Sequence, residues 1–140
     1  MIVLDSNVLS EVLRPAPAPR VMDWLSRQVS TSLFVTTVTQ AEILFGIAIL
    51  DPGRRRDDLQ SAAMAMFAED FAGRIVGFDV DAAPVFAAIA AERRQLGRPI
   101  SQFDAQIAAI ARSRGAALAT RNIRDFEACD IELIDPWRVA

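Results

Sequence analysis

The sequence contains no histidine, no lysine and no tyrosine, and it has one cysteine, Cys129. Without histidine there is no Ser-His-Asp triad and no imidazole base, and a nitrogen- or sulfur-rich zinc site cannot be assembled around a single thiol. One cysteine cannot form an internal disulfide. No basic stretch followed by an apolar run precedes the first strand-like residues, so a cytoplasmic location is expected. The longest apolar segment, AEILFGIAIL, contains Glu42 and is about half the ~20 residues that a membrane span requires. A basic coat for nucleic acid is missing too, since net charge is −3 and all 15 basic residues are arginines scattered along the chain. Any contact with nucleic acid has to come from local arginines, and positions 54–56, 93–94, 98, 121 and 124 are the candidates.

What is abundant is apolar. Hydrophobic residues make up 52% of the chain, more than a core of 140 residues obviously needs, which points to surface reserved for partners and to self-association. The length fits one domain, residues 1–140, that buries roughly two thirds of its unfolded surface. Short β-prone runs, MIVLD, LFVTT, RIVGF, AALAT and IELID, alternate with segments of helical period near 7–14, 19–28, 40–50, 55–72, 82–96 and 102–114. That alternation predicts a three-layer α/β/α fold around a mainly parallel five-stranded sheet. Pro15, Pro17 and Pro19 separate the first two helices, Asp51-Pro52-Gly53 separates the third from the fourth, and Gly97 and Gly115 stand where C-terminal caps belong.

In a parallel sheet, ligands collect beyond the carboxyl ends of the strands, where loops lead into helix N-termini. Asp5 stands at such an end, Glu42 follows the second strand in VTTVTQAE, and Asp104 opens a helix in ISQFDAQIAAIA. Each acid has a plain structural reading. Thr39-x-x-Glu42 matches a capping box, Ser101-x-x-Asp104 resembles one, and acids favour the positive end of a helix dipole. Against that reading, Glu42 lies at helical spacing from Phe45, Gly46 and Ile49, and Asp104 from Ile107, Ala108 and Ala111, so both turn toward apolar faces. Carboxylates turned inward together repel and lose hydration unless a cation compensates. Clustered carboxylates and water suit Mg²⁺ or Mn²⁺, and hydrolysis without histidine then requires metal-activated water. Asp79 and Asp81 also follow a strand, but Asp81 with Pro84 reads as a helix start.

Four blocks carry a resemblance: MIVLDSNVLSE, TTVTQAEILFG, FDAQIAAIA and ATRNIRDF. In this order they resemble the PIN-domain ribonucleases, and more narrowly the VapC- and FitB-like toxin subunits of toxin–antitoxin pairs, over essentially the whole chain. The resemblance implies an Mg²⁺- or Mn²⁺-dependent endoribonuclease in which Asp5, Glu42 and Asp104 hold the metal. It also implies an RNA substrate, a DNA-binding antitoxin partner whose helix occupies a groove between the early helices, and assembly into at least a homodimer. Many relatives carry a fourth acid in the loop after the fourth strand. Here that position corresponds to Asn122, with Asp125 three residues on; Asp125 either completes the site or caps the turn before Phe126. On this reading Ser6 helps to orient Asp5 or a bound water, and Asn7 is the cap of the first helix.

Two other phosphate-handling α/β classes fail on the residues. A receiver domain needs a late lysine, and a haloacid-dehalogenase-type phosphatase needs D-x-D where this chain has Asp5-Ser6-Asn7. The departure at Asn122 supports a different alternative: a catalytically weak binding subunit that complexes a DNA-binding antitoxin and regulates transcription.

Overall fold

The computed structural model describes residues 1–139. Five strands form one sheet, β1 (Ile2–Leu4), β2 (Leu33–Thr36), β3 (Ile75–Val76), β4 (Ala117–Ala119) and β5 (Leu133–Ile134). Their spatial order is β3-β2-β1-β4-β5, and every pairing is parallel. Six helices surround the sheet: α1 (Ser6–Val12), α2 (Pro19–Ser26), α3 (Thr37–Ala48), α4 (Arg54–Ala65), α5 (Ala82–Gln95) and α6 (Gln102–Ser113). The expected α/β/α arrangement is therefore present, with a wholly parallel sheet.

The two-residue period of the strands sorts side chains between two cores. Leu4, Leu33, Val35 and Ala119 join Val8, Leu9, Trp24, Ile43, Ile47 and Phe67 on the face covered by α1 to α4. Val3 and Leu118 point the other way, to Ile89, Ile107, Ile110, Phe126 and Cys129 under α5 and α6. Because both faces are covered, the strands can be short and nearly all apolar. Gly97 and Gly115 end α5 and α6 at φ +71° and +65°, left-handed values that glycine adopts without strain.

Helix boundaries depart from expectation at two places. α3 begins at Thr37, three residues early, because Thr36 at the end of β2 is its cap; the Thr36 hydroxyl accepts the Thr39 amide at 3.0 Å. The predicted Thr39-Glu42 capping box is thus not formed: Thr39 lies inside the helix with its buried hydroxyl unpartnered, and Glu42 is on the second turn. The long fourth helix changes type, passing from α4 into a π-helical turn, Met66–Asp70, as it packs Met66, Phe67 and Phe71 into the core.

Arg93, a candidate for contact with nucleic acid, is instead only 4% exposed. Its Nε donates to the Arg98 carbonyl at 2.7 Å, and Nη1 donates to the carbonyls of Asp125 and Glu127 at 2.8 and 3.1 Å. One guanidinium thus fastens α5 to the loop between β4 and β5. Asp81 does not cap α5 with its side chain; Asp79 does, accepting the amides of Asp81 and Ala82 at 3.1 and 3.0 Å.

Thr36→Val keeps the shape of a fully buried side chain but removes the α3 cap, and should lower the free energy of unfolding by about 1–2 kcal/mol. Thr36→Ser should recover most of it in urea titrations. An undiminished Thr36→Val protein would show that the cap contributes nothing.

Candidate active site

Strand order reverses direction of growth at the centre of the sheet, between β1 and β4, and the crevice of such a sheet opens beyond the carboxyl ends at that point. Asp5 follows β1 there and Thr120 follows β4, with the Asp5 amide bonded to the Ala119 carbonyl at 2.9 Å. Asp5 is 3% exposed. Its Oδ1 accepts the Ser6 amide at 2.9 Å, which makes Asp5 the N-cap of α1. Its Oδ2 accepts the Thr120 hydroxyl at 2.8 Å and the Asn7 side-chain amide at 3.2 Å.

Thr120 is the organising residue that sequence reasoning missed. Its Oγ1 also accepts from Asn7 Nδ2 at 3.2 Å and from the Asn122 amide at 3.0 Å, so both lone pairs are used and its proton is directed to Asp5. The signal was present in the run AALAT, where a polar residue ends β4 as Asp5 ends β1. Asn7 is not the helix cap expected from the sequence, because Asp5 already holds that position. The Asn7 amide bridges Asp5 and Thr120, and its Oδ1 accepts the Arg121 amide at 3.1 Å, tying the loop after β4 to α1.

The other acids arrive on helices that pack around this point, α1 on α3 and α3 on α6. Glu42 is half-buried, and its Oε1 is buried with no hydrogen-bond partner. Asp104 is half-buried on the first turn of α6, whose cap Ser101 accepts the Asp104 amide at 3.2 Å. Asn122 and Asp125 are exposed, on the loop that Arg93 anchors and at the start of a 3-10 turn, Ile123–Phe126, that has no side-chain cap.

Three carboxyls are held above their ordinary range. For Asp5 the chief cause is burial, offset by the bonds from Thr120, Ser6 and Asn7 and reinforced by the charge of Asp125. For Glu42 burial is again first, followed by repulsion from Asp5 and Asp104, and nothing opposes them. Asp104 is raised by burial and by Asp5 and Asp125, against the lowering effects of Ser101 and Arg93. Asp5, Glu42, Asp104 and Asp125 therefore share one field of negative charge. Among the described residues, no three such side chains are close enough together to share one ion as they stand. In chemistry the donor set fits a hard divalent cation: carboxylate oxygens, one of them buried and unpartnered, with no soft ligand among them.

The same three groups give the metal-free protein a defined pH response. A raised carboxyl pKa means that the folded state binds protons more tightly than the unfolded one. The resulting destabilisation is absent below the unfolded carboxyl range near pH 4, grows as pH rises through the folded values, and persists above them. Glu42→Gln removes one such group without breaking a hydrogen bond at Oε1. In EDTA, its melting temperature relative to that of the parent protein should climb from about pH 4 to about pH 7. A difference that stays flat across that interval would contradict the repulsion.

Residues 2–131 match the PIN domain family. Over nearly their full lengths, three curated proteins are similar to the chain. The plasmid stability protein StbB of Pseudomonas syringae pv. tomato is 38% identical over 98% of this chain and 99% of that protein. The VapC ribonuclease Y4jK of Sinorhizobium fredii is 36% identical over 100% of both. Toxin FitB of Neisseria gonorrhoeae is 36% identical over 98% of this chain and 99% of that protein. The crystal structure of FitAcB from Neisseria gonorrhoeae superposes with a TM-score of 0.93 at 35% identity, covering 99% of this chain and 100% of that one. With residues 2–131 matched and relatives at 36–38% identity spanning nearly their whole lengths, the chain belongs to the PIN domain family.

Proposed function

We propose that this protein is a divalent-metal-dependent endoribonuclease, the toxin of a toxin–antitoxin pair. The observation that carries the reading is the set of mutually repelling carboxyls, Asp5, Glu42 and Asp104, at the crevice of the sheet, one with a buried oxygen that nothing satisfies. Similarity to a VapC ribonuclease and to toxin FitB supports RNA as substrate and an antitoxin as partner.

Asp5, Glu42 and Asp104 are the residues that would hold Mg²⁺ or Mn²⁺. When bound, such an ion supplies Lewis acidity and a water that ionises near neutral pH, which a chain without histidine otherwise lacks. Thr120, Asn7 and the Ser6 amide keep Asp5 in one orientation, so the least mobile ligand is the one fixed to the sheet. Asp125 contributes negative charge to the same field, since it raises both Asp5 and Asp104. Asn122 acts through its backbone amide on Thr120 and adds no charge. A cytoplasmic location accompanies an RNA substrate and a lone unpaired thiol.

An apolar groove of about 770 Å³ runs between α1, α3 and α4, lined by Leu13, Ile43, Ile47, Leu50 and Leu59, with Glu42 also on its wall. An amphipathic antitoxin helix laid along it would reach an active-site carboxylate, which gives inhibition a direct route. Self-association accounts for further exposed apolar side chains such as Val80 and Phe103.

Asp5→Asn, Glu42→Gln and Asp104→Asn should each abolish Mg²⁺-dependent cleavage of RNA. Added Mg²⁺ should raise the melting temperature of the parent protein well above the response of the variants, because a ligand that binds only the folded state stabilises it by mass action. Three variants with undiminished cleavage and equal melting shifts would sink the nuclease reading. A parent protein that captures antitoxin yet never cleaves would favour the binding-subunit alternative.

Gly46 lines the groove, and a Cβ there would meet no atom within 4 Å. Gly46→Leu should therefore block antitoxin capture on co-expression and cost no stability, since glycine is a poor helix former. Undisturbed capture would remove the groove from the proposed interface.

A further inference from the structure

We propose that the cleft beside the acids, walled by Arg121, Arg124 and Arg138, is a phosphate-binding subsite that seats the RNA backbone next to the scissile bond. The proposal rests on the ribonuclease reading and assigns the cations that reading requires. A chain of net charge −3, with four carboxylates in one field at the site, repels a polyanion where it must bind. Local cations have to offset that repulsion within reach of the acids.

The cleft has a volume of about 480 Å³ and shares Asn122 and Asp125 with the candidate active site. Its acids are largely taken. Glu127 is paired with Arg98 at 2.9 Å and Asp135 with Arg138 at 3.7 Å. Among the described residues, no carboxylate lies within salt-bridge distance of Arg121 or Arg124, and both residues are exposed. These two guanidinium groups are thus left with uncommitted charge beside the active site.

Arg121 is also held in place, and Arg124 is tethered through its backbone. The Arg121 backbone is bonded to Asn7, which is bonded to Asp5, so its position follows that of the central acid. Its guanidinium lies 5.0 Å from the centre of the Trp137 ring, an arrangement that orders the side chain without neutralising it. Arg124 sits in the 3-10 turn whose neighbour, the Asp125 carbonyl, is clamped by the buried Arg93. The guanidinium fork of Arg121, so positioned, suits bidentate recognition of phosphate oxygens.

The test uses a fluorescein-labelled single-stranded RNA oligonucleotide. Its anisotropy is followed on the full-length protein in EDTA over a series of salt concentrations, beside cleavage kinetics in Mg²⁺. Arg121→Gln and Arg124→Gln should each weaken binding roughly threefold or more at low salt and reduce the slope of log K against log salt by about 0.7, one phosphate contact on a single strand. In cleavage, each should raise KM with little change in kcat. Arg27→Gln, on α2 and paired with Asp23, should alter neither quantity. Unchanged affinity and slope in both cleft variants would overturn the proposal. So would a loss confined to Arg54→Gln and Arg55→Gln on the groove, or cleft variants that bind RNA normally but lose antitoxin. A parent protein that binds RNA through Arg121 and Arg124 yet cleaves none would leave the subsite standing while the catalytic reading fails.

Discussion

The hydrogen bond from the Thr120 hydroxyl to the Asp5 carboxylate is the contact around which the site is organised. It joins the carboxyl ends of β1 and β4, the two strands between which the sheet changes its direction of growth. A carboxylate 3% exposed at that junction would be costly in isolation. Three donors make it tolerable, the Ser6 amide, the Asn7 side-chain amide on the first turn of α1 and the Thr120 hydroxyl at the end of β4. The Thr120 hydroxyl in turn receives the Asn122 amide, so the loop that carries Asn122 and Asp125 takes its position from the same bond.

Around this fixed point the remaining acids are deliberately less comfortable. Glu42 has a buried oxygen with no partner, and its charge is opposed by both Asp5 and Asp104. Burial and like charge act in the same direction there, and Arg93 is the one cation that lowers a member of the group, Asp104. Arg93 itself is committed to carbonyls of two loops, so its charge is not available to close an ion pair with the acids. The folded protein therefore keeps an excess of negative charge in its crevice. Such a site favours a cation over a protein side chain.

Helix α3 shows how a local sequence rule was outcompeted. Thr39 and Glu42 have the spacing of a capping box, but Thr36 sits three residues earlier at the end of β2 and takes the cap first. The displaced Glu42 moves one turn into the helix, where it faces the groove and the other acids instead of a helix terminus. The cap of α1 departs from expectation for a related reason. Asp5 supplies the α1 cap from a strand end, which frees the Asn7 amide to bridge two elements more than a hundred positions apart in the sequence. Capping rules see only neighbours along the chain, and Asn7 answers to partners across the sheet.

By itself, the sequence determined the layered α/β architecture, because alternating short apolar runs and helical periods leave few other ways to bury both faces of a sheet. It also narrowed the chemistry open to the candidate site: with no histidine and one cysteine, carboxylates are the metal-binding groups left to fill it. The order of strands, and with it the meeting of Asp5 with Thr120, was decided only in three dimensions. So were the burial of Arg93 beneath the β4–β5 loop and the partition of arginines into paired and uncommitted ones. The physical reason is common to all three. Periodicity and capping record interactions within a few residues, whereas a buried hydrogen bond or ion pair is chosen by whichever groups the packed helices bring within about 3 Å of each other, irrespective of their separation along the chain.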